Sequence, residues 1–201
     1  RPMKLGEIVV RHGFVTPAQL EEGLTMQVSH GGRVGSNLID LGYISVDNIA
    51  RALGQQHNVP AASDEAFRSV QASTLEMISR ELCAKHGVLP LAVEEGVLHL
   101  AMRDPQRLAL IHQLGERVGL KVQPYATPEV RLHYFLERLH EIPRPKRYRD
   151  AGVDREARAP VKARTTAHGK DDSGRYAYQG VQTISPDEIP SELASTGPHL
   201  V

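Results

Sequence analysis

Apolar residues recur at helical spacing through the first 56 positions, then give way to short runs separated by turn residues. Leu5, Ile8 and Val9 form one stripe, and Val34, Leu38 and Leu41 form another. Each stripe stops at a glycine, Gly13 or Gly42, where a left-handed residue closes the last helical turn. A second helix follows each stop. Thr16 is a natural N-cap with Pro17 at the first helical position, Gln19 completes a capping box, and Val15 with Leu20 forms a hydrophobic staple. Ser45 caps the equivalent later helix, with Ile44 and Ile49 as its staple. The pattern predicts two helical hairpins in tandem.

The hairpins are near-copies. Residues 4–27 (KLGEIVVRHGFVTPAQLEEGLTMQ) and 33–56 (RVGSNLIDLGYISVDNIARALGQQ) are 24 residues each with 5 between them, a period of 29. After Pro60 the pattern changes. A helix with a capping-box start is expected over 73–79, with Ser73 and Glu76 as the box, and another over 80–86 ended by Gly87. Strand-like runs at 88–93 and 97–102 flank Glu94-Glu95-Gly96, which reads as a hairpin turn. Asp104 is expected to cap a helix with Pro105 at its first position, running to about Val118. A third strand is predicted at 121–126, and a helix from Thr127-Pro128 to about Glu141. The fold class is therefore α+β. A helical N-terminal half (1–60) precedes a small α/β subdomain of about three strands (61–142), and a disordered tail is expected over 143–201.

The tail follows from composition. Leu, Ile, Val and Phe total 8 of its 59 residues, it holds six prolines, and it shows neither a helical nor an alternating period. It carries 10 Lys/Arg against 8 Asp/Glu, and its basic half (144–175) reads as a solvated linker or a loose electrostatic contact. Formal charge of the whole chain is zero, so no global field recruits nucleic acid or a membrane surface. One cysteine, Cys83, excludes an intramolecular disulfide; a cytoplasmic setting is expected, with no transmembrane segment. Cys83 beside Leu82 reads as a small core residue. The phosphate-loop, dinucleotide, zinc-protease and nucleophile-elbow motifs are absent. His133 and His140 share a helix face at i, i+7, too far apart for joint metal ligation, so no metal site and no enzyme activity are expected.

Packing alone leaves one pattern unexplained. Leu20, Leu24 and Gln27 stand at i, i+4 and i+7, as do Ile49, Leu53 and Gln56, so each apolar stripe ends in a glutamine on the same face. Each first helix opens with a base and, two residues on, a glycine: Lys4/Gly6 and Arg33/Gly35. A cation at a helix start opposes the macrodipole, so it does not serve the helix. Glycine there leaves backbone N–H groups approachable, as phosphate sites require. Cation, bare amides, aliphatic floor and amide side chain are the chemistry that grips a purine with a phosphate. A helical hairpin with incidental polar ends is the alternative, and both readings stand at this point.

The doubled unit resembles the N-terminal domain of type II secretion and type IV pilus assembly ATPases, the MshEN family. That family repeats R-L-G-x-x-L-V-x-x-G-x-L-S-x-x-x-L-x-x-A-L-x-x-Q with a five-residue spacer, and the length of 24 and spacer of 5 match here. The likeness continues through GVLPLAVEEGVLHLAMRDP at 87–105 and covers about residues 3–140. It implies a regulatory domain that binds cyclic di-GMP, with no other cofactor. Carried over by position, the ligand-facing residues are Lys4, Leu5, Gly6, Val9, Val10, Leu20, Leu24 and Gln27, then Arg33, Val34, Gly35, Leu38, Ile39, Ile49, Leu53 and Gln56. The resemblance implies that Arg33 and Lys4 meet phosphate or guanine, aliphatics cover purine faces, and the glutamines address base edges. It also implies secretion or pilus assembly proteins as partners in trans, with no nucleic acid and no membrane insertion.

The chain departs from the pattern at Lys4, which replaces an arginine, and at Val9 and Gly23, which replace leucine and alanine. Lysine lacks the planar fork, so binding is expected to be weaker by about 1–2 kcal/mol if one bidentate contact is lost. The ATPase domains that follow in that family are not expected in this chain. The competing expectation is a protein-interaction adaptor that has kept the fold and lost the nucleotide.

Overall fold

A computed structural model describes residues 2–150. The expected tail from 151 onward lies outside the described residues. Helices α1 (Leu5–Arg11) and α2 (Pro17–His30) form the first hairpin, α3 (Val34–Asp40) and α4 (Val46–His57) the second. The local signals act as expected: Thr16 Oγ1 accepts from Gln19 N at 3.2 Å, Gln19 Oε1 accepts from Thr16 N at 2.9 Å, and Ser45 Oγ accepts from Asn48 N at 3.1 Å. Gly13 and Gly42 adopt φ of 66° and 75°, which a side chain would resist.

The hairpins interlock: α2 lies against α3, and α1 against α4. Each repeat thus packs the second helix of one on the first helix of the other, as a local two-fold would. Ile8, Val9, Leu38 and Ile49 are buried at this junction, so neither hairpin has a complete core alone.

The second half adds α5 (Asp64–Arg68), α6 (Ala72–Leu75), α7 (Arg80–His86), β1 (Val88–Glu94), β2 (Val97–Met102), α8 (Leu108–Val118), β3 (Lys121–Ala126), α9 (Glu129–His140) and α10 (Lys146–Asp150). β1 and β2 are antiparallel, joined by Glu95 and Gly96, both at positive φ as a tight two-residue hairpin turn demands. β2 and β3 are parallel, with α8 as the crossover helix. Phe67, Leu89, Leu98, Leu100, Leu132 and Phe135 fill a separate core. Cys83 is fully buried in it, and burial pushes its thiol up to about 12, which removes nucleophilic character at neutral pH.

The two halves are tied together. Ala126 donates to Pro60 O at 2.8 Å and Ala62 donates to Ala126 O at 2.9 Å, so the linker extends the sheet beyond β3. Arg131, 2% exposed, reaches from α9 to Asp47 at the start of α4 (2.5 Å) and to Ala62 O (3.1 Å).

Three expectations need correction, and one element was not expected. The helix expected over 73–79 is the single turn of α6, which starts after Gln71 with no side-chain cap and is closed by Glu76. Asp104 does not cap α8: that helix begins at Leu108 after Arg107, and the Asp104 carboxylate is committed elsewhere. The start of the expected tail, 143–150, is packed: Arg144 holds Glu137 at 3.0 Å and Tyr148 is 7% exposed. Finally, the Ser63-capped α5 has no counterpart among the expected elements. It spans five residues, too short for a helical period to declare itself.

Gly54, inside α4, shows how the linker is seated. A Cβ there would come within 2.8 Å of Val59 O, a main-chain atom with no rotamer to yield. Gly54→Ala gains about 1 kcal/mol of helix propensity, yet overpacking costs about 1–3 kcal/mol. Urea denaturation is expected to show a net loss, opposite in sign to an ordinary helical glycine.

Candidate functional site

The starts of α1 and α3 adjoin. A Cβ on Gly35 would lie 3.2 Å from Leu5 and 3.4 Å from Ile49, and one on Gly6 would lie 3.1 Å from Leu20. Lys4 and Arg33, the N-cap residues of these helices, stand one and two residues from the Leu5–Gly35 contact. The same close approaches give both glycines a packing role at these positions.

The remaining motif residues sort by depth. Val9, Leu38 and Ile49 are 0–1% exposed and Leu5 and Ile39 are buried, so these five, expected to face a ligand, pack into the core of the repeats instead of reaching solvent. Gly35 is buried as well. Gly6, Val10, Leu20, Val34, Leu53, Gln27 and Gln56 are half-buried, while Lys4, Leu24 and Arg33 are exposed. Gln27 donates to Gly32 O at 2.9 Å, which fixes the spacer between the repeats.

Arg33 has company that its own neighbourhood in sequence does not supply. Its Nη2 lies 2.6 Å from Asp104 Oδ1 and its Nε 3.2 Å from Glu129 Oε1. Arg103 Nε sits 3.1 Å from Asp104 Oδ2 and 3.8 Å from the same Glu129 oxygen. Tyr148 donates its hydroxyl to Glu129 Oε2. Two arginines thus face two carboxylates where the loop after β2, the start of α9 and α10 converge on the start of α3.

The electrostatics follow from this packing. Burial alone would raise Asp104, but hydrogen bonds and charge from Arg33 and Arg103 outweigh it and hold the carboxyl below the usual range. Burial would lower Arg33, and Asp104 with Glu129 more than reverse that. Burial pushes Tyr148 up to about 12, helped by Glu129. His57, at the end of α4 beside Gln56, is held below its ordinary value by burial; Asp104 opposes that shift and Arg33 reinforces it. The end of α4 is thereby within electrostatic reach of Arg33 and Asp104.

Because Asp104 is depressed in the fold, its contribution to stability is complete above its ordinary value of 3.8 and is lost as pH falls below it. Acid denaturation of Asp104→Asn is expected to lose part of that acid limb, with little change in shape near neutrality.

The sequence reading missed Asp104, Glu129, Arg103 and Tyr148 as site residues. Asp104 stood in view, but Asp-Pro before an apolar stripe imitates a helix start. No local signal links position 33 to positions 104 and 129.

A cleft of about 350 Å³ lies elsewhere, lined by Asp47, Arg51, Ser63, Asp64, Glu65 and Arg131 among others, and none of the sixteen candidate ligand-facing residues is part of its lining. Among the described residues no group of His, Cys, Asp or Glu is arranged to hold a metal, and no helix is long and apolar enough to cross a membrane.

The family model of the MshEN domain matches residues 57–145. The type IV pilus assembly ATPase PilB of Myxococcus xanthus is 27% identical over 137 residues, covering 68% of this chain and 24% of that protein. Bacteriophage adsorption protein B of Escherichia coli K12 is 29% identical over 119 residues, covering 59% of this chain and 16% of that protein. The chain thus spans a quarter or less of these curated relatives. The solved structure of MshE with cyclic di-GMP aligns at 27% identity and a TM-score of 0.52, covering 68% of this chain and 98% of that one.

Proposed function

We propose that this chain, which carries an MshEN domain related to the N-terminal domains of secretion and pilus assembly ATPases, is a cyclic di-GMP receptor that acts by binding and not by catalysis. The observation that supports this reading is the adjacency of the two repeat starts: Leu5 packs against Gly35, so Lys4 and Arg33 stand one and two residues from a shared contact, the arrangement a two-fold dinucleotide with two phosphates would use. The structural likeness to MshE, solved with that ligand, supports the same reading. Arg33 would meet one phosphate or stack on a guanine, Leu20, Leu24 and Leu53 would cover base faces, and Gln27 and Gln56 would address base edges. Asp104, already aimed at Arg33, orients its guanidinium. The setting we propose is cytoplasmic, with the signal passed to secretion or pilus proteins in trans.

Isothermal titration of the chain with cyclic di-GMP is expected to give one saturable event at micromolar ligand. No heat at tens of micromolar ligand, with the chain shown to be folded, overturns the reading.

One observation favours the adaptor alternative. Arg33 already has two carboxylate partners, and packing accounts for Gly6 and Gly35 without any phosphate. A chain of that kind would capture secretion or pilus proteins equally with and without nucleotide.

A further inference from the structure

Residues 144–150 reach back from the α/β half onto the repeats. Arg147 in α10 donates from Nη1 to Gly31 O at 3.0 Å and from Nη2 to Asn37 Oδ1, with Asp40 at 3.6 Å. Gly31 and Gly32 belong to the spacer between the repeats. Gly32 admits the guanidinium because it has no side chain: a Cβ would stand 1.6 Å from Arg147 Nη1. The spacer is therefore gripped from two sides, by Gln27 of the motif and by Arg147 of α10.

The next residue joins the same helix to the Arg33 cluster. Tyr148 stacks on His133 at 4.9 Å and donates to one oxygen of Glu129, whose other oxygen takes Arg33 Nε at 3.2 Å. A single five-residue helix thus touches both the spacer and the partner of the motif arginine.

We propose that α10 is an autoinhibitory strap. Seated, it fixes the spacer and, through Tyr148 and Glu129, keeps Nε of Arg33 turned to Glu129 and away from an anionic ligand. Ligand engagement at Arg33 and seating of α10 oppose each other, and by linkage each weakens the other by the same factor. The identity of the ligand rests on the cyclic di-GMP reading; the link between Arg33 and the strap does not.

The strap is built to release. Five residues are too few to hold a helix without tertiary contacts. Arg147 Nε is buried with no hydrogen-bond partner among the described residues, a cost that undocking removes. The strap is also held by Arg144, on Glu137 and over the Tyr134 ring, and by the Tyr148 ring on His133.

Amide exchange in the full 201-residue chain tests the link without ligand. Arg147→Ala sets the exchange expected of an unseated strap at residues 146–149. Arg33→Ala is expected to accelerate the same amides by roughly threefold or more, because Glu129 loses a partner. With ligand present, Arg147→Ala is expected to tighten cyclic di-GMP binding by about three- to tenfold, and Arg147→Lys, which keeps charge but loses the fork, by less. The strap is refuted by amides that Arg147→Ala accelerates and Arg33→Ala leaves unchanged. An affinity in Arg147→Ala equal to or below that of the parent refutes it as well. Should the parent chain bind no cyclic di-GMP, the receptor reading alone falls, and the exchange comparison still decides the strap.

Discussion

Arg33→Ala is expected to weaken cyclic di-GMP binding by roughly ten- to hundredfold, the equivalent of one charge-assisted contact of about 1.5–3 kcal/mol. The guanidinium is half exposed at the junction of both repeats, and its fork is the one planar cation at a repeat start. Lys4→Ala should cost less, because an ammonium is a strongly hydrated point charge that loses little when it leaves a phosphate. Lys4→Arg is expected to tighten binding by restoring the fork on the other side of the two-fold. Titration calorimetry of the three variants gives the order directly. Equal affinities for Arg33→Ala and the parent would remove Arg33, and with it the proposed site. Global unfolding does not confound the test, since Arg103 still serves both Asp104 and Glu129 after Arg33 is cut back.

Phe67→Ala is expected to cost about 3–5 kcal/mol of stability. Phe67 is fully buried, its ring lies flat on Phe135 at 4.7 Å with planes 7° apart, and both belong to the core of the α/β half. Removing it opens a cavity against Phe135, in a core whose Leu89, Leu98 and Leu100 are held by strand pairing and cannot collapse inward without breaking it. Urea unfolding followed by circular dichroism measures the loss. A midpoint shift equivalent to under about 1 kcal/mol would mean the site relaxes freely and that α5 is not a structural pillar.

Phe67 also shows where local reading stops. It sits in a five-residue helix that no periodicity announces, yet it anchors one of the two cores. The repeats were the opposite case. Thr16, Pro17, Gln19 and Ser45 act through atoms three residues away, so their chemistry was legible in the string of letters. The glycines at 13 and 42 were equally legible, since a left-handed backbone is a property of one residue. Asp104 carried a local signal that was real in type and wrong in use: a carboxylate that can cap a helix can also hold an arginine, and the nearer arginine in space won. Tyr148 and Arg147 stand in a stretch whose composition argues for disorder, but a few long side chains reaching preformed partners are enough to seat it.

The sequence by itself determined the duplicated helical hairpins, the three strands and their hairpin turn, and the pairing of a base with a glycine at each repeat start. All of these depend on contacts within a few residues or on a repeat period. Only the tertiary structure decided that α1 packs on α4, that β3 runs parallel to β2, and that Arg33 faces Asp104 and Glu129 from 71 and 96 positions away. Charges have long reach and no periodicity, so which carboxylate an arginine meets is fixed by how the two halves dock and by nothing written beside it.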